Sequence, residues 1–324
     1  MKVTVVVPVY KVSRYIEKCA RSLFEQTLDE LEILFVDDCS PDNSCTIIEK
    51  TLNEYPQRKK YTRIIHMPAN SGQAGVRRQG IIEARGEYII HCDGDDWVDT
   101  DLYEFMYNAA SSNGSDICVC DYVEELESKK IYHPTLDSYS SPHNFLKHWY
   151  SLPIHMGCWN KMVKRTIYKE NDILPWIGLN MWEDNGLMTR IYYHSHSVCF
   201  IHSKYYHYNR MNVNAMTAGY GSVQVEQMIK MAENLTDFFA ESDDFKEYRN
   251  TTFAFQYLAK LNLITSSFKD YRRFKRIFPD SNIIAKDLSL NAFSRRGRIR
   301  FLMVKYNLAP LFILAFKLKK RICK

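Results

Sequence analysis

The chain has 324 residues, 46% of them hydrophobic and 25% charged, with 12 glycines and 10 prolines. This supports one large core or two modest ones and excludes disordered, collagen-like and low-complexity classes. Nine cysteines form no CxxC pair, which excludes a zinc ribbon and argues against a disulfide framework. A reducing cytosol is the expected compartment, and no charged-then-apolar leader precedes the first strand-like run. The net charge of +5 is unevenly placed: 17 Lys and Arg lie between Lys260 and Lys324 against three acids. An acidic body with a basic tail points to membrane phospholipid or nucleic acid as partner.

Val3 to Val9 is a β-branched run that reads as a buried strand. Ser13 reads as the cap of a helix reaching Gln26 through Ile16, Ala20 and Leu23. A second strand, Leu31 to Val36, runs into Asp37, Asp38, Cys39, Ser40 and Pro41, and Asp42 or Asn43 opens a helix to about Tyr55. Strand three is Thr62 to His66, followed by a helix from about Gln73 to Ala84. Glu87 to Cys92 is strand four and ends in Asp93-Gly94-Asp95-Asp96. A helix near Asp99 to Ser111 leads to strand five, Asp116 to Cys120.

This alternation predicts an α/β fold with a mostly parallel, doubly wound sheet, whose ligands bind beyond the carboxyl ends of its strands. Both acidic clusters fall at those ends. Beyond Asp121, His143 to Leu152, Lys161 to Tyr168 and Glu183 to His194 read as helices, and Val198 to His202 as a strand. From Val223 onward the pattern is helical, with runs to Ser242 and from Phe245 to Ser267.

A buried strand ending in several carboxylates can hold a hard divalent cation beside a phosphate, or can simply form a polar turn. Two stretches sharpen the choice: VVVPVYKVSRYIEKCARSLFEQTLDELEILFVDDCSPDNS, and NSGQAGVRRQGIIEARGEYIIHCDGDDW. They resemble the inverting family 2 glycosyltransferases with the GT-A fold over about residues 1 to 125. The resemblance continues more weakly through GCWNKMVKR and MWEDNGL to about Thr217.

The resemblance implies a role for each matching position. Pro8, Val9 and Tyr10 would form the wall against a nucleotide base, and Asp38, with Asp37 beside it, would accept the uracil N–H. Asp93-Gly94-Asp95 fits the DxD motif, extended by Asp96. Asp93 would contact the donor, and Asp95 and Asp96 would lie nearest a Mg²⁺ or Mn²⁺. Arg77 sits where the family often has the Arg of an A-R-N stretch, although Val76 and Arg78 flank it here. Glu183-Asp184 matches the ED motif, with Asp184 as the base that deprotonates the acceptor and Glu183 orienting the acceptor or the helix start.

Trp159 and Trp182 are acceptor-site candidates, with core packing as the alternative for each. Tyr206, Tyr208 and Arg210 resemble a flexible segment that closes over the donor. His202 or His207 could complete a metal shell or serve a structural role.

In the tail, Arg295, Arg296, Arg298 and Arg300 precede a 16-residue apolar run broken by Lys305, Asn307 and Pro310, and KLKKRICK follows. That run is too short to span a bilayer and reads as an interfacial amphipathic segment, 295–324. Packing on the body is the alternative, and nucleic acid is not expected because no stacking aromatic motif accompanies the charges.

The expected organisation is a GT-A domain over 1–220, with a nucleotide-sugar half at 1–125 and an acceptor half at 126–220. A helical region, 221–324, follows. The expected activity is metal-assisted, inverting transfer from a UDP-sugar to a glycan or lipid-linked oligosaccharide, at the cytoplasmic face of a membrane. The rivals are a non-catalytic sugar-nucleotide binder and a sugar nucleotidyltransferase; the latter lacks a glycine-rich loop in PVYKVSRY.

Overall fold

A computed structural model describes residues 1–135, 139, 141–152, 156–212, 221–242, 244–265, 267–289, 295–311 and 313–314. These residues form two compact units, one of 1–143 with 156–218 and another of 144–155 with 219–324.

The first unit is built on strands β1 (Val3–Val9), β2 (Leu31–Asp37), β3 (Thr62–His66), β4 (Tyr88–His91) and β5 (Trp97–Val98). Strands β6 (Ile117–Glu125), β7 (Lys130–His133), β8 (Lys161–Lys164) and β9 (Val198–Asn209) complete it. The order is β3-β2-β1-β4-β8-β6-β9-β5, with β7 paired to β6. Strands β3, β2, β1 and β4 run parallel, as do β6 and β9, while β8 is antiparallel to both β4 and β6. The sheet is therefore mixed, with a parallel half that carries both acidic clusters.

Helices α1 (Ile16–Phe24), α2 (Ser44–Asn53), α3 (Gly72–Glu83) and α4 (Leu102–Asn113) connect the parallel half. Further along the chain lie α5 (Pro142–His148), most of which belongs to the second unit, and, in the first, α6 (Arg165–Glu170) and α7 (Glu183–His194). Strands β1 and β2 are mostly apolar because both of their faces are covered, and within them buried Thr4 donates its hydroxyl to Glu32 at 2.7 Å. Val5, Val7 and Val9 join Ile16, Cys19 and Leu23 of α1 in the core. On the opposite face, α3 approaches β1 so closely that a Cβ on Gly80 would collide with the Val6 side chain.

Two local expectations are corrected. Lys161–Tyr168 is not one helix: residues 161–164 form β8, which fills the gap between β4 and β6, and only then does α6 begin. Met162 and Val163 are fully buried there, so sheet pairing overrides the helix preference of a Lys- and Met-rich stretch. Strand β9 also runs seven residues beyond His202, to Asn209. Its register against β6 jumps between Cys120 and Asp121, and Ser203 takes a positive φ of 65°. A bulge of this kind breaks the alternation by which a strand is recognised.

The second unit holds α8 (Ser222–Glu241), α9 (Phe245–Leu261), α10 (Phe268–Arg276) and α11 (Arg295–Lys305). Phe239 of α8 stacks on Tyr248 of α9 at 4.9 Å, and buried Lys260 donates to the Phe278 carbonyl at 2.7 Å.

The seating of α3 yields a stability prediction. Gly80→Ala should lower unfolding free energy by ~1–3 kcal/mol, because the added methyl overpacks against Val6. Adding Val6→Ala should recover part of that loss, which denaturant titration of the single and double variants would measure.

Candidate active site

Because β1, β2 and β4 are parallel, their carboxyl ends share one edge, with Val9 opposite Asp37 and Val6 opposite His91. Pro8 is half-buried, Val9 is buried and Tyr10 is exposed there. The Asp38 N–H donates to the Val9 carbonyl at 3.0 Å, which ties the two strand ends together. Asp38 is itself buried, and its carboxylate faces the start of α3. Oδ1 accepts from the Ser71 N–H at 2.7 Å and Oδ2 from the Gly72 N–H at 2.8 Å. A carboxylate at this position meets the positive end of the helix dipole. Asp37 accepts from the Ser40 N–H at 2.9 Å and pairs with His66 Nδ1 at 3.0 Å.

The Asp93–Asp96 turn rests on β1. A Cβ on Gly94 would sit 2.8 Å from the Pro8 carbonyl oxygen, so only glycine lets the turn lie this close. Asp96 is 1% exposed and has both carboxylate oxygens engaged. Oδ2 accepts from the Tyr206 hydroxyl at 2.5 Å, and Oδ1 from the Asn209 N–H at 2.7 Å. The Tyr206 hydroxyl oxygen in turn accepts the Asp93 N–H at 3.0 Å. Asp95 is more open and accepts from Asn212 Nδ2 at 2.7 Å.

Burial pushes up the carboxyls of Asp93, Asp95 and Asp96, and neighbouring acids push further. Such a set of hard oxygen donors, short of positive charge, suits Mg²⁺ or Mn²⁺ shared with a phosphate. Among the described residues, three donor atoms lie within 4.8 Å of one another only at Asp37, Cys45 and His66, so the turn alone makes no closed cage.

Arg77, on α3 and 2% exposed, joins the acidic turn to the ED pair. Its Nη2 donates to Asp93 Oδ1 at 2.7 Å, its Nε lies 3.4 Å from Glu183 Oε1, and its Nη1 meets the Cys158 sulfur. Burial would lower the guanidinium pKa, but Cys158, Asp93, Glu183 and Asp184 together hold it above its ordinary value. Glu183, at the first position of α7, is buried and pushed up to about 8 by desolvation and by Asp184, against the pull of Arg77. Asp184 is half-buried and accepts from the Asn185 N–H at 2.8 Å. The residue before this pair, Trp182, has φ of 66°, a left-handed conformation that is costly for a bulky side chain.

Other candidates lie further out or deeper in. Trp159 is 4% exposed and stacks on Tyr206 at 4.6 Å and on Tyr208 at 5.6 Å, so it packs within the core. Tyr206 and Tyr208 belong to β9 rather than to a mobile segment, because β6 pairs with that strand as far as Asn209. Arg210 is exposed beside the Tyr208 ring, and 213–220 lie outside the described residues. His202 meets Asp121 at 3.1 Å, and His207 bridges Glu125 and Asp99 at 2.8 and 2.9 Å. Neither histidine is bonded to the Asp93–Asp96 carboxylates. Tyr206 and Cys158 lie in stretches that the resemblance covers, but their positioning roles, and that of Asn209, are hidden by the long sequence separation from the acids.

The fold and site define an α/β protein with an acidic cleft at the carboxyl edge of a parallel sheet, faced by a second acid pair on α7. The chain belongs to glycosyl transferase family 2, whose model matches residues 4–171. It is 28% identical over 337 residues to the putative glycosyltransferase EpsH of Bacillus subtilis, covering 99% of this chain and 96% of that one. Among solved structures, S. aureus TarS 1-349 in complex with UDP-GlcNAc matches with a TM-score of 0.68 at 18% identity, over 93% of this chain and 89% of that one. The mannosyltransferase PcManGT from Pyrobaculum calidifontis, in complex with GDP-Man and Mn²⁺, matches with a TM-score of 0.56 at 16% identity, over 95% and 85%. The protein is therefore a glycosyltransferase of GT-A type with a helical C-terminal region.

The raised carboxyl of Glu183 carries a pH signature. Its folded pKa of about 8 lies above the ordinary 4.5, so the folded state holds the proton more tightly. The resulting stability is fully present below about pH 4.5 and is lost as pH rises through about 8. Without nucleotide or metal, the melting temperature should fall across that window, and Glu183→Gln should flatten the slope. A slope unchanged in Glu183→Gln would assign the titration elsewhere.

Proposed function

We propose that the chain transfers one sugar from a UDP-sugar to a hydroxyl of a glycan or lipid-linked oligosaccharide, with inversion at the anomeric carbon. The observation that carries this reading is the Arg77 bridge, which holds the Asp93 turn and the Glu183-Asp184 pair on one guanidinium at 2.7 and 3.4 Å. A donor diphosphate at the strand edge and an acceptor hydroxyl near α7 would then be neighbours.

In this reading, Pro8, Val9 and Tyr10 wall the base while Asp37 and Asp38 shape its pocket. Arg77 opposes the burial that pushes the Asp93 carboxyl up and aims it at the donor ribose, and Arg210 approaches the donor from the end of β9. Asp184 takes the acceptor proton as the acceptor oxygen bonds to the anomeric carbon. The bond from that carbon to the phosphate oxygen breaks, and the nucleoside diphosphate leaves with the electron pair.

Asp95 is the first choice for holding Mg²⁺ or Mn²⁺, since Asp96 would have to give up the Tyr206 or Asn209 hydrogen bond to join it. When bound, the cation would offset charge building on the leaving diphosphate. Trp182 is the better acceptor-side aromatic, because Trp159 is already packed against Tyr206. Residues 1–220 would form the catalytic domain, and 221–324 would work at the cytoplasmic face of a membrane through the basic segment 295–324. Residues 315–324 lie outside the described residues. No helix among the described residues is long and apolar enough to cross a membrane.

Titration calorimetry with UDP, GDP, CDP and TDP, with and without Mn²⁺, tests the donor side. UDP should bind tightest and weaken on chelation, whereas preference for another base would overturn the reading of the pocket. Asp184→Asn tests the chemistry. Transfer should fall by about 10²–10⁴-fold while UDP affinity stays within about twofold. Retained transfer would remove Asp184 as the base, and nucleotide binding without transfer by the native chain would favour a non-catalytic binder.

A further inference from the structure

Helix α10 carries Lys269, Arg272, Arg273 and Arg276 at spacings of three, four and seven from the first, which places them on one stripe. Its other side is aromatic: Phe274 is buried, Tyr271 stacks on it at 6.4 Å, and Tyr257 of α9 meets its edge at 6.4 Å. The four basic side chains and Ile277 line a cavity of about 540 Å³. Of the four, Arg273 is paired with an acid, Glu226 of α8, at 2.7 Å.

A merely solvated basic face accounts for this poorly. Basic residues in the last turn complement the helix dipole, which explains Arg273, Lys275 and Arg276. Lys269 lies in the first turn, where the dipole opposes a cation, and it stands three residues from Arg272, so the two repel, although Asp270 in the same turn offsets part of this. These costs are recovered when an anion occupies the concavity, and arginine forks fit phosphate oxygens in particular. The same unit exposes a set of large apolar side chains: Leu302, Tyr306, Leu308, Leu311 and Leu314. Cations of this kind, in a unit that also exposes leucines, suit an interface of headgroups and acyl chains rather than bulk water.

We propose that this α10 cleft binds the phosphate of an anionic phospholipid headgroup, making it a second, built contact with the membrane beyond the tail segment. The inference rests on the reading that the second unit works at a membrane surface.

The test is flotation of the full chain with vesicles of phosphatidylcholine alone or mixed with phosphatidylglycerol. It compares wild type, Arg272→Glu with Arg276→Glu, and Lys59→Glu with Lys60→Glu. The last pair makes the same charge change on an exposed 3-10 helix in the other unit. Wild type and the Lys59/Lys60 variant should float with mixed vesicles only. The Arg272/Arg276 variant should lose about tenfold or more in partition, in a salt-dependent way. Far-UV circular dichroism and melting confirm that each variant is folded.

Equal flotation of the Arg272/Arg276 variant would overturn the cleft assignment, and equal loss in the Lys59/Lys60 variant would reduce the effect to net charge. Wild type that floats with neither vesicle would overturn the membrane reading itself. Calorimetric binding of inorganic pyrophosphate by such a protein, lost in the Arg272/Arg276 variant, would make a soluble phosphate the ligand and overturn the lipid assignment. Titration of each variant with UDP reads the transferase site separately, since no altered residue belongs to it.

Discussion

A guanidinium with 2% of its surface exposed has to be answered by close acceptors, and Arg77 sets this constraint for the first unit. Removing such a cation from water costs several kcal/mol, which is offset only by close, well-aligned acceptors. The acceptors come from three places far apart in the chain: Asp93 after β4, Cys158 before β8, and Glu183 at the head of α7. Once Arg77 is inside, these segments are obliged to converge. The same requirement runs backward to the first turn of α3, where Asp38 caps the Ser71 and Gly72 N–H groups and fixes the helix that carries Arg77. Close approach at Gly80 then sets the depth of that helix on β1. Asp38 is thus structural to Arg77 before it is anything to a nucleotide.

A second frame comes from β9. Tyr206 accepts the Asp93 N–H and donates to Asp96, while Asn209 holds the other Asp96 oxygen and, through its side chain, the Asp95 carbonyl at 3.0 Å. The two frames grip the acidic turn from opposite ends: Arg77 takes its first carboxylate and β9 takes its last. Asp95 lies between them and is the member left with room. The bulge at Ser203 has a purpose in this light, because it lets β9 continue in register with β6 to the point where Tyr206 and Asn209 meet the turn.

Much of this is legible in the sequence, and unevenly so. Strands β1 and β3 and helix α7 match their predicted bounds, because runs rich in β-branched residues and an acid-led helical period are strong local signals. The acidic turns at the strand ends followed from the alternation of elements alone. Strand β8 was hidden because KMVK has no strand period, and its identity depends on the vacancy between β4 and β6. The family resemblance assigns Tyr206 to a segment that closes over the donor. Only its partners, more than a hundred residues earlier in the chain, reveal it as a strut. For Trp159 the structure selects the core-packing alternative, since burial by Tyr206 and Tyr208 is a tertiary fact.

Charge balance ties the site to its proposed chemistry. Asp93, Glu183 and Asp184 act on the Arg77 guanidinium, Asp95 and Asp96 continue the Asp93 turn, and burial pushes up Asp93, Asp95, Asp96 and Glu183. A donor diphosphate brings more negative charge to the same edge. By Coulomb's law, an acidic turn of this kind repels a diphosphate unless further positive charge accompanies it, the more so at low effective dielectric. That deficit is the physical reason for including a divalent cation in the proposed mechanism. It also gives the ED pair its division of labour. Glu183 lies against Arg77 and is held within the protein, whereas Asp184, one residue on, is less buried, which is why the proposed mechanism gives the acceptor proton to Asp184.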